Sequence, residues 1–558
     1  MTPPLAGAAT NRRRFLGLTG LGAVAIAGGG MLSACGEEAG TSGNATQTDK
    51  LAGVVPNQGA MPAGLPAPDV PGTPPLASGY TAYPTSLIDA ISEKPGTSGK
   101  EISAMTPAWG PAPPGLGSNS YLAAVNAELG TPINFSIQDG ITYADKLNAM
   151  LGARDVPELL CIPEWEVSKL PRFADAAAAL FEDLTDYLAG DKVNAYPMLA
   201  TLPTAAWRTS IWNQRLMAIP NPTGDPFPLA LFYRKDLFDA LGLTYPKTID
   251  ELYQLAKQVT DSKKGVWATS DMFLMVQSYY KSPGSKTGWR LKADGTPEHK
   301  YETPEFKQAV EFMAKMYKDG LVHPDLVASR GADAKDLFAA GKILFMQDGI
   351  GAWQGMQAEQ QKIKKDFNIQ PVPLFSAAGG DPLAHGDWEP INWTFIKKGL
   401  GKERVEELLR IVNWCSAPFG TQEWMLRENG LEGKHFTDPA APAKTDLGFK
   451  EIANQYFFVS GRTPVVFPTP ETPNYVKDLM AYNNATVKYL ETNPWEGIKI
   501  DFPASYNAQL VPTEDKITDM LRGRRPLSDL DGIVSEWRSG GGNEARDLLA
   551  KARSDAGK

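Results

Sequence analysis

TYADKLNAMLGARDVPELLCIPEW occupies residues 142 to 165, and its reading decides the fold. Thr142 and Asp145 have the S/T-x-x-D/E spacing of a capping box, so a helix is expected to start here. Leu147, Met150 and Leu151 recur at helical intervals and give that helix a buried stripe. Glu158 to Ile162 is a short apolar strand. Upstream, EISAM (101–105) and PINFSI (132–137) read as strands separated by a helix from Ser118 to Leu129. Strand, helix and strand in succession imply a parallel sheet with right-handed crossovers.

The same alternation continues downstream. Leu229 to Tyr233 is a strand followed by two helices; Pro246 halts the first, and Thr248 with Glu251 starts the second by another capping box. Leu252, Leu255, Ala256 and Val259 form its core face. Thr303 is the cap of a further helix, with Pro304 at its first position and Gly320 as its stop. Phe306, Val310, Met313 and Tyr317 are its buried stripe. The fold class is α/β. Trp414, Trp424 and Trp537 lie in helical patterns and read as core.

The N-terminal end has a different character. Arg12-Arg13-Arg14-Phe15-Leu16 resembles the twin-arginine export motif. The apolar run from Phe15 to Ala34 is interrupted by glycines, each weakening a helix by ~1 kcal/mol relative to alanine, so it reads as a signal rather than an anchor. Leu32-Ser33-Ala34-Cys35 resembles a lipobox, in which Cys35 receives the lipid. At ~0.8 kcal/mol per buried CH₂, one acyl chain binds marginally and two hold. Residues 1–34 are thus expected to be a twin-arginine lipoprotein signal peptide, 35–70 a flexible tether, and 71–99 an extended proline-rich arm on the globule.

After the signal, 52 basic residues stand against 64 acidic ones, a net charge near −12. That disfavours nucleic acid and anionic lipid surfaces, which call for clustered Lys/Arg. Cys161 and Cys415 form no C-x-x-C pair; a disulfide is possible in an oxidising compartment, but two buried free thiols are the preferred reading. His299, His323, His385 and His435 lack metal-ligand spacing. No metal and no cofactor is expected.

Five stretches resemble the extracellular solute-binding proteins of carbohydrate ABC transporters, the class that includes maltose-binding protein, in its long lipoprotein subfamily. They are YADKLNAMLGARDVPELL; Tyr233-Arg234-Lys235-Asp236 before LGLTYPKTIDEL; KMYKDGLVHPDL with DLFAAGKILFMQDG; NGLEGKHF; and MLRGRRPLSDLDGIVSEWRSGGG. The resemblance implies a two-lobed periplasmic-binding-protein-like (type II) fold with a hinged interlobe cleft. Lobe 1 would be 100–228 plus about 390–450, and lobe 2 229–389 plus part of 451–558. The chain would cross first near Asp225 to Ala230 and return near Asp387 to Asn392. Several members of the class it resembles carry a calcium loop where this chain reads VTDSKKGVWATSDM, which lacks alternating oxygen ligands; no structural calcium is expected there.

Sugar recognition needs flat aromatic faces for the C–H side of a pyranose and fixed carboxylates or amides for its hydroxyls. By position against the family pattern, the expected ligand residues are Trp109 after the first strand, and Glu164, Trp165 and Glu166 after the strand ending at Ile162. Phe227 stands at the first crossing, and Asp271 and Met272 follow a second-lobe strand. Gln347, Asp348 and Trp353 follow KILFM, and Asp387, Trp388 and Glu389 stand at the second crossing.

The expected protein is a monomer on the extracytoplasmic face of the cell membrane, held there by lipid alone. It would pass a carbohydrate to the transmembrane subunits of an ABC permease, without nucleic-acid partners and without catalysis. A secreted glycoside hydrolase is the enzyme alternative, with Glu164 and Glu389 as its two carboxylates. H-E-x-x-H, G-x-S-x-G, Walker A and C-x-x-C motifs are absent. A binder of a peptide or another polar solute is the other alternative.

Overall fold

A computed structural model describes residues 44 to 557 except 48–50, 52, 73–75, 168, 171, 223–225, 228, 285–287, 329–331 and 387–389. Cys35 and the whole leader lie outside the described residues.

Two mixed sheets organise the chain. The strands that build them are β1 (Ile102–Ala108), β2 (Ile133–Asp139), β3 (Leu159–Pro163), β4 (Ile219–Pro222), β5 (Leu229–Arg234), β6 (Trp267–Thr269), β7 (Ile343–Gly349), β8 (Ile369–Pro371) and β9 (Pro390–Ile396). The first sheet has the order β2-β1-β3-β9-β4 and the second β6-β7-β5-β8. β1 runs parallel to β2 and β3, with Ala104 opposite both Phe135 and Leu159. β9 returns antiparallel to β3, Thr394 facing Cys161. In the second sheet β6 and β7 are parallel and β5 antiparallel to β7. The chain therefore leaves the first sheet after Pro222, enters the second at Leu229, and is back in the first at Pro390.

Both sheets are covered on both faces, as strands with near-continuous apolar runs require. Ile102, Ala104 and Leu159 point to one side of the first sheet, where helices α1 (Ser120–Leu129) and α6 (Lys402–Cys415) pack. Met105, Leu160 and Ile162 point to the other, where α2 (Tyr143–Ala153) supplies Leu147. In the second lobe Leu231 and Tyr233 face helices α3 (Ile249–Val259), α4 (Phe273–Tyr279) and α5 (Pro304–Lys318). That core also takes in the C-terminal helices α9 (Ala504–Leu521), α10 (Leu530–Trp537) and α11 (Asn543–Asp555) through Tyr506, Trp537 and Leu549. Ala230 and Phe232 face the opposite side, against α8 (Tyr475–Thr486).

The caps divide instructively. Thr303 Oγ1 accepts from the Phe306 N–H, with Pro304 at the first position, and Gly320 ends α5 with φ +67°. Thr248 Oγ1 accepts from Glu251 N, but the Glu251 carboxylate bonds the N–H of Lys247, one residue ahead of the cap. The box expected at Thr142 does not form. Its backbone sits at φ −107°, ψ 15° rather than extended, and its hydroxyl caps nothing.

The solvated tether expected over 35–70 is docked in its described part. Val55 is buried in the first-lobe core, and Gly190 and Gly59 donate their N–H groups to the carbonyls of Val55 and Ala200 respectively. Sparse apolar residues without period sufficed, because backbone hydrogen bonds carry the docking. Further on, Ser78–Gly79 forms a parallel pair with Val465–Val466, and Tyr83 packs on Phe419 and on Trp424 of helix α7 (Gln422–Asn429). Cys161 and Cys415 are buried free thiols. Trp414, Trp424 and Trp537 are all buried. Among the described residues no helix is long and apolar enough to cross a membrane.

Candidate functional site

The strand order places a crevice. β2 and β3 lie on opposite sides of β1, and α1 and α2 cover opposite faces of the sheet. The order of winding thus reverses between β1 and β3. Open α/β sheets bind ligands outside the carboxyl ends of the strands at such a reversal, because the two crossover helices diverge there and leave a gap.

Two tryptophans stand at that gap. Trp109 follows β1, and Trp165 belongs to the single helical turn Glu164–Val167 that follows β3. Their ring centroids are 5.8 Å apart and tilted by 53°. They are 47% and 41% exposed, whereas most of the chain's tryptophans are buried. Trp109 lies flat over Gly140, where a Cβ would run into the indole, so this glycine is needed for the close approach. Phe458 backs Trp109 from the interior, buried, its ring centroid 6.0 Å away. It is held by its carbonyl, which accepts from Asn392 Nδ2 at the start of β9. Phe458 was missed in the sequence because FFVSGR adjoins no strand end that could flag it. Beside the tryptophans, Glu164 is half-buried. Glu166 points inward, 3% exposed, and pairs with Lys169 at 3.1 Å.

The second lobe presents polar groups at the corresponding end of its sheet. Asp271 follows β6; one carboxylate oxygen accepts from Phe273 N and the other from the Tyr317 hydroxyl at 2.9 Å. Burial, and then the neighbouring Asp271 charge, push the Tyr317 hydroxyl pKa up, so it stays a neutral donor. Gln347 Oε1 accepts from Met275 N at 2.8 Å and thereby holds the start of α4. Asp348 lies 3.1 Å from the Lys335 ammonium.

Three expected ligand residues are interior instead. Met272 is fully buried in the second-lobe core. Trp353 is 1% exposed, with its indole N–H donating to the Ile369 carbonyl. Phe227 is sealed at the crossing by Leu76 and Ala384. Each fills space that the strand ends leave open, which a plug residue does as well as a ligand residue. Asp387, Trp388 and Glu389 lie outside the described residues, as does Asp225.

Between the lobes lies a cavity of about 1240 Å³ including its open mouth. Val167, Phe173, Trp212 and Trp393 form one wall and Lys300, Tyr301, Phe502 and Tyr506 the other. Its second wall was not expected, since nothing in the sequence places 500–514 against the cleft. Among the described residues no group of three or more His, Cys, Asp or Glu could hold a metal ion. In the loop after α3 the Asp261 carboxylate is engaged by Lys264 at 3.0 Å.

Comparison with known proteins adds a lineage to this geometry. The family model described as bacterial extracellular solute-binding protein matches residues 115–397. The lipoprotein LipO of Bacillus subtilis (strain 168) is 22% identical over 475 residues, which is 81% of this chain and 91% of that protein. The polygalacturonan/rhamnogalacturonan-binding protein YtcQ of the same organism is 26% identical over 308 residues, covering 52% of this chain and 58% of its own length. Among solved structures, the alginate-binding protein AlgQ2 without calcium ion superposes with a TM-score of 0.62 at 13% identity, over 82% of this chain and 98% of its own. An HMO-binding, ABC-transporter-associated solute-binding protein from Bifidobacterium longum infantis gives a TM-score of 0.58 at 15% identity, over 82% and 99%. At these identities the likeness is one of fold.

Proposed function

The chain belongs to the bacterial extracellular solute-binding proteins, and from that footing we propose that it captures a sugar or oligosaccharide for an ABC importer. The observation that carries this reading is the exposed Trp109–Trp165 pair at the winding reversal of the first sheet. Two half-exposed indoles side by side are costly in water unless something covers them, and the C–H face of a pyranose is a matching surface. Fixed acceptors such as Asp271 fit the hydroxyl rim, since a site built of buried acceptors rejects ligands that cannot donate to them. The names of YtcQ and AlgQ2 as binders of acidic polysaccharides, and of the HMO-binding protein, point to glycans in general.

Capture would work by population shift: a ligand that touches both lobes has more contacts when they are shut, so it favours the shut form. No covalent step is involved. Lipid attachment at Cys35 would keep the monomer at the outer face of the membrane, near the permease that reads the shut form, and LipO is by name a lipoprotein.

The test is a glycan panel added to the soluble mature chain. A binder gives a melting-temperature shift that grows with ligand concentration and returns the glycan intact. Trp109→Ala or Trp165→Ala should weaken binding by about tenfold or more, as loss of an aromatic anchor does, with little change in the unliganded melting temperature. Turnover of the glycan would overturn the reading in favour of a hydrolase. Replacing Cys35 by Ala should release the chain from membranes; retained attachment would refute the anchor.

A further inference from the structure

Resting on the reading of Cys35 as the lipid site, we propose that the chain hangs from the membrane by a leash of nine residues rather than a tether of thirty-five. The side of the second lobe that carries Ile498–Asp501 is then the side kept at the lipid.

Asn44–Gln47 forms a short antiparallel ladder with Ile498–Asp501, Asn44 opposite Asp501 and Gln47 opposite Ile498. Ile498 and Ile500 pack against the second-lobe core, so the partner strand belongs to the folded body. Four residues beyond Gln47 the chain reaches the other lobe: Leu51 and Val54 pack on the first-lobe core, and Val55 is buried in it. The Asn57 N–H donates to the Gly190 carbonyl at 3.1 Å, and a Cβ at Gly59 would stand 3.0 Å from that of Ala200. The stretch expected as a free spacer is thus spent on the globule, held by backbone pairing rather than by an apolar period.

Reach follows from chain geometry. Nine residue steps separate Cys35 from Asn44, at most about 30 Å when fully extended, whereas the thirty-five steps to residue 70 would allow about 120 Å. The shorter span confines the body to a smaller volume and raises its effective concentration at any membrane partner. It also selects a side. A body of this chain length is about 60 Å across, so its far side cannot turn to the lipid while the attachment point stays within about 30 Å of it. The leash end of the ladder, Asn44, lies opposite Asp501, and Ile500, Asp501 and Phe502 line the interlobe cavity. That cavity therefore lies toward the membrane.

The surface beside the ladder tolerates this approach. Helix α11 lies alongside and carries three Lys/Arg and three Asp/Glu, while the chain after the signal is near −12 as a whole. A neutral side nears an anionic bilayer without the repulsion that the remainder would meet.

Hydrogen exchange on the unlipidated mature chain tests the ladder. Amides of 44–47 and 498–501 should exchange at least about tenfold more slowly than in a free peptide. Ala45→Pro with Thr46→Pro should strip that protection from both strands, since proline has no N–H to donate. Both lobe cores are built without these residues, so the melting temperature should hold. For the reach, Cys35 is coupled to vesicles through a maleimide lipid; Cys161 and Cys415 are buried thiols and stay uncoupled. Energy transfer to acceptor lipids is read from a dye on an unnatural side chain replacing the exposed Lys551 of α11. It should be strong, and should fall by at least about half in the proline pair, whose first fixed residue is Leu51. Exchange at the free-peptide rate, or equal transfer from the two chains, overturns the proposal. Because the lipid is attached chemically, neither result depends on lipidation in the cell. Retention of Cys35→Ala on membranes defeats that reading separately.

Discussion

Gly140 is where one missing methyl group decides a binding surface. Gly140→Ala should tilt Trp109 off its seat. The ring is half-exposed and can swing away, so the unfolding free energy should change by less than about 1 kcal/mol, while glycan affinity falls about tenfold. Titration and tryptophan emission read the two effects separately. Trp109, Trp165 and Trp353 all lie just after strands, and in the sequence they look alike. Only tertiary packing makes the first two a surface and the third a plug, so the aromatic half of the site was legible as a set of candidates and not as a selection. His385 illustrates a different residue-level effect. Its Nε2 lies 2.8 Å from the Ser282 carbonyl, and burial lowers its pKa from 6.5 to about 4, with Lys300 adding to the effect. The fold favours the neutral ring, so the unfolded chain binds this proton first. Stability is therefore complete above pH 6.5 and falls as pH drops from 6.5 toward 4, by up to about 3 kcal/mol. His385→Gln should flatten that part of the melting-temperature profile; an unchanged slope between pH 6.5 and 4.5 would assign it to other groups.

Helix ends show what local pattern can and cannot say. Thr303 and Thr142 carry the same expectation, yet only Thr303 has an extended backbone that aims its hydroxyl at the helix. Thr303→Ala should cost ~1 kcal/mol and Thr142→Ala a few tenths, as judged by urea midpoints. The approach to Thr142 is set by Asp139, whose carboxylate accepts from Ile141 N and bends the chain before the helix begins. Sequence spacing contains no information about that bend. Strands β1, β2, β3 and β5 and the core faces of α3 and α5 were legible because their apolar period follows from which side is buried. The docking of residues 53–70 and the wall built by α9 were not. Each depends on a surface made by distant residues, and neither leaves a period in its own stretch.

At the scale of the whole molecule the proline-rich arm bears on how the lobes move. Its Tyr83 packs with Phe419 and Trp424 beside the first lobe, while its Ala77, and Val70 just ahead of it, join the second-lobe cluster of Phe232 and Val476. Leu76 seals Phe227 at the crossing between them. Nearer the globule, the Glu407 carboxylate accepts from the N–H groups of Thr97 and Ser98 at 2.7 Å and so fastens the arm's end to α6. A strap fixed to both lobes must stretch or slip when they part, so it should resist opening beyond the arrangement described here before any ligand arrives. If a ligand binds the shut form, its apparent dissociation constant is the intrinsic one divided by the shut fraction. Replacing Leu76 and Tyr83 together by Ser should therefore enlarge the radius of gyration of the unliganded chain, measured by small-angle scattering. It should weaken glycan affinity by the same factor that it lowers the shut fraction. Saturating glycan should then restore the compact profile, because the ligand's contacts across the cleft do not depend on the strap. An unliganded profile identical to that of the unmodified chain would mean that the arm only covers surface and leaves the hinge free.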